Sequence, residues 1–494
     1  MDATLEHETT GHKLQRRLAE SRFLIMSLTI HAILILLATY MVISKAMDNS
    51  EDFSSDGGTG LMADSDSLPP PSEQPEDSVP QESVQTQSAP DVSTPSLDVL
   101  STAASTSNFK VAVNAPKINL NSTGDLTKSS GAPVKGIAGS LGGLPGTMSG
   151  RVGSGKKGAM QKYGAKDKSE KAVLRGLEWL RKVQNPDGSW GDKNKGAMTG
   201  FALLCFLGHG ETNESADYGL TVGKAVQWIL DQGTTYQGHL SMTKDGWGPG
   251  NGGVYEHAIC TYALGEYYTM TKDERVVELL KQAVGYIVQG QGPAGGWMYS
   301  FDKSQNDLSV SGWQIQALKA AHLTGLNLPG VDGSLEKAVD ALDKVWKGTE
   351  GYGYRGPENK WSLTGVGILC RLFWKNETGP VRNAMEWVLD TAEKEDRQKP
   401  LKYKGDNCDL YAWYYHTQAA LMFGGGAWQK WNRWFQDEIC DVQNPDGSWP
   451  APGGKGPGVD YGHDQSMSAQ VYRSTLCILM LEVFYRYMPV NRAG

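Results

Sequence analysis

Arg175-Gly176-Leu177-Glu178-Trp179-Leu180-Arg181-Lys182-Val183-Gln184-Asn185-Pro186-Asp187-Gly188-Ser189-Trp190 joins a charged amphipathic helix to a Gly-x-Trp turn. Its core returns near the C-terminus as Gln443-Asn444-Pro445-Asp446-Gly447-Ser448-Trp449. A helix-turn unit repeated at long range is the signature of an internally repeated architecture. Glycine-flanked aromatics recur at Trp190, Trp247, Trp297, Tyr352 with Tyr354, and Trp449, with Tyr403 a weaker member. Each precedes a small or polar residue that opens an apolar run: Thr199, His257, Ser311, Thr364, Thr417 and Ser468, spaced 58, 54, 53, 53 and 51 residues apart. The spacing predicts six units.

Each unit holds two kinds of helix. The first sets Val173, Leu177, Leu180 and Val183 against Arg175, Glu178, Arg181 and Lys182, so one face meets water. The second is apolar nearly all round, as in Phe201-Ala-Leu-Leu-Cys-Phe-Leu207, Ile259-Cys-Thr-Tyr-Ala-Leu264 and Leu476-Cys-Ile-Leu-Met-Leu481. A helix of that kind is buried on every side. Six such hairpins close as a ring, with the buried helices inside and the amphipathic ones outside. Residues 169–494 therefore read as an all-α domain, an α/α toroid. Gly200, Gly312 and Gly365, just after the openers, let neighbouring inner helices approach closely.

The first repeat fits, position by position, the basic-Gly-x2-aromatic-Leu-x3-Gln-x3-Gly-x-Trp pattern, and on these residues the domain resembles the squalene cyclase and prenyltransferase repeat family. The resemblance implies an aromatic-lined central cavity at the inner-helix N-termini. Protonation-initiated cyclases of that family use Asp-x-Asp-Asp, which this sequence lacks; the nearest run, Asp406-Asn407-Cys408-Asp409, has another order. No Asp-Asp-x-x-Asp motif is present either, which argues against terpene cyclisation. The same run resembles the Asp-x-Cys pair of the prenyltransferases, so the resemblance implies zinc as cofactor at Asp406, Cys408 and His463, with Lys402 and Lys404 upstream. Against this stands the simpler reading that Asp406 and Asp409 cap the helix starting near Leu410. Asp307 and Asp464, four residues before their openers, admit the same capping role.

No catalytic group is identified outright. The candidates that the ring would bring to its cavity are Glu256, His257, Asp307, Asp409, His416 and Asp464, and the aromatics Trp313, Tyr411, Trp413 and Tyr414 are the expected ligand platform. No serine-hydrolase elbow, His-Glu-x-x-His, phosphate loop or thioester motif occurs. The six cysteines are spread over the repeats without a disulfide or CxxC spacing and read as small core residues.

Ahead of the ring, residues 1–22 are basic, with Lys13, Arg16, Arg17 and Arg22, and residues 23–44 carry no formal charge over a bilayer-spanning length. The cationic flank places the N-terminus in the cytoplasm and the ring outside, as a single-pass inner-membrane protein with a periplasmic toroid. Residues 45–168 read as a disordered linker: 46–100 hold twelve Asp or Glu, no Lys or Arg and seven prolines, then Gly, Ser and Lys dominate. Ser27 and His31 share one face of the span. In the basic start, the Ser-x3-His span and the Pro-rich tether, residues 1 to about 100 resemble the TonB-type energy transducers, which implies a proton-motor membrane complex of the ExbB/ExbD type as partner. The net charge of -8, concentrated in the tether, and the lack of a basic stripe exclude nucleic acid as a partner.

Three functions remain open: a membrane-anchored toroid that binds a bulky apolar, isoprenoid or lipid-like ligand or a peptide partner in its central cavity; a zinc-dependent prenyltransferase-like transferase; and a glycan-binding or glycan-active toroid of the cell envelope.

Overall fold

The computed structural model describes residues 146–241, 253–299, 301, 303, 306–375, 379, 381–394, 396–406, 408–454 and 465–486. The expected membrane span with Ser27 and His31, the linker up to residue 145, and His463 and Asp464 lie outside the described residues. Among the described residues no helix is long and apolar enough to cross a membrane.

Amphipathic and buried helices alternate along the chain. After α1 (Gly153–Tyr163), the amphipathic members are α2 (Asp167–Val183), α4 (Gly219–Thr235), α6 (Val277–Gly290), α8 (Val331–Ala341), α10 (Arg382–Glu393) and α12 (Gly425–Asp441). The buried members are α3 (Lys195–His209), α5 (Gly253–Thr271), α7 (Leu308–Leu323), α9 (Trp361–Trp374), α11 (Leu410–Phe423) and α13 (Met467–Leu481), with α14 (Val483–Arg486) at the end. Each odd helix packs on the next, and α13 packs back on α3, so the inner helices close a ring. The even helices form the outer wall, where α12 packs on α2. Almost every side chain of α5 is buried, as a helix wrapped on all sides requires.

The repeated motif explains how the ring is fastened. Gln184 Nε2 donates to the Gly188 carbonyl (2.9 Å) within its own turn and to the Thr221 carbonyl (3.0 Å) of the next outer helix. Gln291 does the same with Gly295 and Ser334, both at 2.8 Å. Gln443 bonds Gly447 and, across the ring's seam, Ala172 of α2, both at 2.9 Å. The indole N–H of Trp190, Trp297 and Trp449 returns to its own outer helix, at Leu180, Ile287 and Ile439 (2.7–2.8 Å). The turn glycines Gly188, Gly295 and Gly447 have φ of +95°, +101° and +98°, and a Cβ there would strike a carbonyl of the next outer helix. Each motif thus joins three structural elements with one Gln, one Gly and one Trp.

The openers have a shared role. Thr199, Ser311 and Thr364 accept the backbone N–H of Trp190, Trp297 and Tyr352 through their hydroxyls (3.0–3.1 Å). In the last unit Ser474, not Ser468, accepts from Trp449 (3.1 Å). Ser468 instead closes the seam, donating its N–H and hydroxyl to Asp192 (2.9 and 2.8 Å). Gly200 lets α3 approach α5 closely enough that a Cβ would sit 2.8 Å from Ile259.

Helical structure begins before the expected boundary. Residues Gly146–Arg151 form a 3-10 helix and α1 follows, both packed on the toroid, so 146–168 belong with the ring and not with the linker. Composition misled here because Gly and Lys are poor core formers; the segment is held instead by the buried Met148 and Arg151, by Met160 and Tyr163 packed on the core, and by the Lys156–Glu170 pair (2.8 Å).

Candidate functional site

The inner helices run in one direction, so their first turns gather at one end of the ring. Asp307 caps α7, accepting from the Ser309 N–H (2.9 Å) and the Ser309 hydroxyl (2.5 Å). The Tyr255 hydroxyl of α5 reaches the same Ser309 Oγ at 2.8 Å, and Arg355 Nε lies 3.7 Å from the Asp307 carboxylate. Burial pushes the Asp307 carboxyl up, opposed by the bonds from Ser309 and the charge of Arg355. Asp409 caps α11 by accepting from the Ala412 N–H (3.0 Å), and burial raises it to about 6. Both carboxylates therefore do the capping work that their position before a helix suggests. Glu256, in the first turn of α5, is fully buried, with Ala197 N–H 3.4 Å from its carboxylate.

About one turn further in, aromatic rings span the ring's interior. Phe201 of α3 meets Trp313 of α7 edge-on (5.3 Å) and Tyr472 of α13 (5.9 Å). Trp313 stacks on Tyr414 of α11 (5.7 Å, 16° between planes) and meets Tyr415 edge-on (5.6 Å). Helices α3 and α7 are not ring neighbours, nor are α7 and α11, so these contacts cross the centre. Edge and offset geometries of this sort are the favoured ones for aromatic pairs. None of these rings is more than 2% exposed, so the layer is a packed floor and not an open shaft. Its polar fringe includes the Gln314 side chain, whose N–H2 donates to the Val254 carbonyl (3.0 Å) while its Oε1 has no partner among the described residues, and the Tyr411 hydroxyl, also without one.

Several expected cavity residues face elsewhere. His257 is a structural histidine: Nδ1 accepts from the Leu240 N–H (3.0 Å) and Nε2 donates to the Ala283 carbonyl of α6 (2.8 Å), which is the opener's role performed by an imidazole. Burial pushes it down to about 3, so it is neutral. His416 points to the outer wall, wedged between Trp361 (4.5 Å) and Trp431 (5.4 Å), and burial lowers it likewise to about 3. Trp413 also turns outward, toward Tyr403 (6.5 Å). Of the expected platform, Trp313 and Tyr414 lie at the centre and Tyr411 packs on Tyr415 beside them (4.9 Å).

The zinc donors are separated by environment. Asp406 is exposed, whereas Cys408 is 1% exposed inside the core, and burial holds its thiol well above the usual range, which disfavours the thiolate that zinc needs. Lys402 pairs with Asp396 (2.9 Å), and Lys404 reaches the Ala451 carbonyl. Among the described residues no group of three or more His, Cys, Asp or Glu is placed to hold a metal ion. All six cysteines are buried and none forms a disulfide.

The opposite end holds charges that sequence reasoning missed. Glu266 of α5 is 1% exposed and faces Arg151 (2.9 Å) and Arg486 (3.7 Å); the Arg486 guanidinium also donates to the Tyr262 hydroxyl (3.0 Å). Lys319 of α7 lies 3.4 Å over the Phe373 ring, and burial lowers it to about 7 despite the nearby Glu266. Glu482 is fully buried with neither carboxylate oxygen hydrogen-bonded among the described residues, and burial raises it to about 8. On the outer wall a groove of about 420 Å³ runs between α10 and α12, with Phe423 in it and Arg382, Lys430 and Arg433 on its sides.

No protein-family model matches the chain, and no curated protein matches it. Among solved structures it is similar to the GH76A α-1,6-mannanase from Salegentibacter sp. HEL1_6, at 12% identity over 64% of this chain and all of that one, with a TM-score of 0.47. It is similar as well to the type II terpene cyclase MstE from Scytonema, at 12% identity over 64% of this chain and 98% of that one, with a TM-score of 0.39. At this distance the likeness concerns the all-α toroid alone.

Proposed function

We propose that the protein is a ligand-binding toroid, tethered outside the cytoplasm by residues 23–44, that receives the apolar body of a bulky isoprenoid or lipid-like molecule, or an aromatic-rich peptide, at the inner-helix N-terminal end. What supports the reading is the aromatic floor of Phe201, Trp313, Tyr414 and Tyr472 below the Tyr255–Ser309–Asp307 chain. Aromatic faces bind apolar bodies, and a few convergent polar groups fix orientation. Because the floor is packed, a ligand rests on it or parts it. The Ser27–His31 face of the span is the proposed contact with a proton-motor complex. The zinc-transferase alternative has less to rest on, given the buried Cys408.

A second reading has its own observation. Asp307 and Asp409 are two buried carboxylates at inner-helix starts whose proton affinity burial raises, and a carboxyl raised by burial is what glycoside chemistry uses as its general acid. The experiment that separates the two is titration of the purified protein with a polyprenyl alcohol and with a mannose oligosaccharide, read by tryptophan fluorescence. Saturable binding of the prenyl alcohol, lost in Trp313→Ala, is expected; binding of the oligosaccharide alone would overturn the first reading in favour of the second.

A further inference from the structure

The groove between α10 and α12 on the outer wall has an apolar base and a cationic rim. Met385 and Leu389 of α10 are buried beneath it, and Phe423, at the end of α11, is half-buried beside them. Arg382 of α10 and Lys430 and Arg433 of α12 line its sides, against one carboxylate, Glu386. Lys430 is committed to Glu393 (2.9 Å) and lies 5.8 Å from the Trp434 ring. The side chains of Arg382 and Arg433 are exposed and make no ion pair or hydrogen bond among the described residues; Arg382 overlies the Phe423 ring at 5.8 Å. In a chain of net charge -8, two unpaired guanidiniums over an apolar base are a local cationic excess.

Glycine keeps the α12 side of the groove open. Gly424 and Gly425 have φ of +81° and +58°, which the turn into α12 requires. Gly426 has no such constraint, and a Cβ built there meets no atom within 4 Å. Glycine is a poor helix former, so at a helical position with room for a side chain it gains the fold nothing. What it supplies is clearance, because any larger residue at 426 would stand in the groove. Helix α12 also has no acidic residue in its first turn, so the chain brings no anion of its own to this end. The lining runs from Arg382 to Leu389 and from Gly426 to Arg433, roughly 10 Å at 1.5 Å per helical residue, a length that about three extended residues fill.

We propose that this groove docks a short acidic segment of a partner protein, an apolar residue between two carboxylates, with the apolar side chain on Met385, Leu389 and Phe423 and the carboxylates on Arg382 and Arg433. The planar fork of a guanidinium matches a carboxylate with two parallel hydrogen bonds, so charge selects the segment and the apolar base fixes its register. A lipid surface fits less well, because the apolar side chains are recessed between two helices and not raised above the charges. The groove lies on the outer wall, apart from the aromatic floor, and the inference does not rest on the ligand reading made there.

The test is binding of the full chain to immobilised biotinylated peptides that carry Glu-Leu-Glu, Gln-Leu-Gln or Glu-Ser-Glu between glycine-serine spacers, followed by biolayer interferometry. Saturable binding to Glu-Leu-Glu is expected, weakened by added salt, with the other two peptides roughly tenfold weaker. The double variant Arg382→Gln, Arg433→Gln should lose affinity by a similar factor. Gly426→Leu, which alters no charge, should abolish binding while its melting temperature stays at or above that of the wild type. Equal binding to Glu-Leu-Glu and Glu-Ser-Glu overturns the proposal, as does wild-type affinity in Gly426→Leu or no binding to any peptide. Binding to phosphatidylserine vesicles that these same variants abolish overturns it in favour of a lipid surface.

Discussion

Replacing Glu482 by Gln should stabilise the protein, and increasingly so as the pH rises. The Glu482 carboxyl is fully buried without a hydrogen bond among the described residues, so burial lifts it from 4.5 to about 8, partly opposed by the charges of His209 and Arg486. The folded state therefore keeps this proton where the unfolded chain has released it. Stability attributable to the group is fully present below about 4.5, declines as pH rises, and levels off above about 8. At about 1.4 kcal/mol per pH unit the full decline is at most about 5 kcal/mol, an upper limit because nearby charges share the response. A glutamine is nearly isosteric, fits against Gly208 where the carboxylate packs, and carries no charge to desolvate. Urea unfolding followed by tryptophan fluorescence at pH 5, 6, 7 and 8 should give a difference between Glu482→Gln and wild type that grows by more than 1 kcal/mol over this range. A difference that is constant, or that shrinks toward pH 8, would refute the buried-carboxyl account.

His209 supplies a second pH dependence: burial alone would lower it, but bonds to Glu170 and Glu211 outweigh that and raise it from 6.5 to about 9. Its contribution, up to ~3 kcal/mol, is fully present below pH 6.5 and lost as pH rises through 9, so His209→Asn should flatten the thermal-melting profile between pH 6 and 9.5. Gly447→Ala should destabilise more than Gln443→Ala, because it adds a positive-φ cost of roughly 1–2 kcal/mol to a collision with the Arg175 carbonyl, whereas the glutamine loses the two bonds its amide donates, worth about 1 kcal/mol each, and those its oxygen accepts from Arg175, which are exposed and worth less; chemical denaturation of both variants decides the order. With all six thiols buried and raised by desolvation, iodoacetamide should leave the native protein unlabelled and modify all six cysteines once it is unfolded, as counted by mass spectrometry; prompt labelling of Cys408 in the native state would reopen the metal site.

The ring was legible in the sequence because its fastenings are local and repeated. Gln184, Gly188 and Trp190 lie within seven positions, and each performs a backbone-directed task that only its residue type can do. The same holds for Thr199 and Ser311 at the inner-helix starts. The site was far less legible, and the inner helices explain why. A helix buried on every side has no polar face to mark its direction, so spacing could not tell Trp313, which faces the centre, from Trp413 and His416, which face the wall. Asp307 was visible as a cap, but its link to Tyr255 joins two units. The pairing of Arg151 with Glu266 spans 115 positions and starts in a stretch whose Gly and Lys content resembles a linker. The mobile-looking composition hid a single side chain whose partner no local pattern could announce.

The approach of Arg151 to the Arg486 carbonyl, at 3.1 Å, places the first and last turns of the domain side by side. A ring whose ends meet has no privileged starting hairpin, so the order of its six units in the gene is one of six equivalent cuts. A short linker from residue 486 to residue 146, with new ends opened in an outer-wall turn such as Asn213–Asp217, should therefore yield a circular permutant with the same seam contacts.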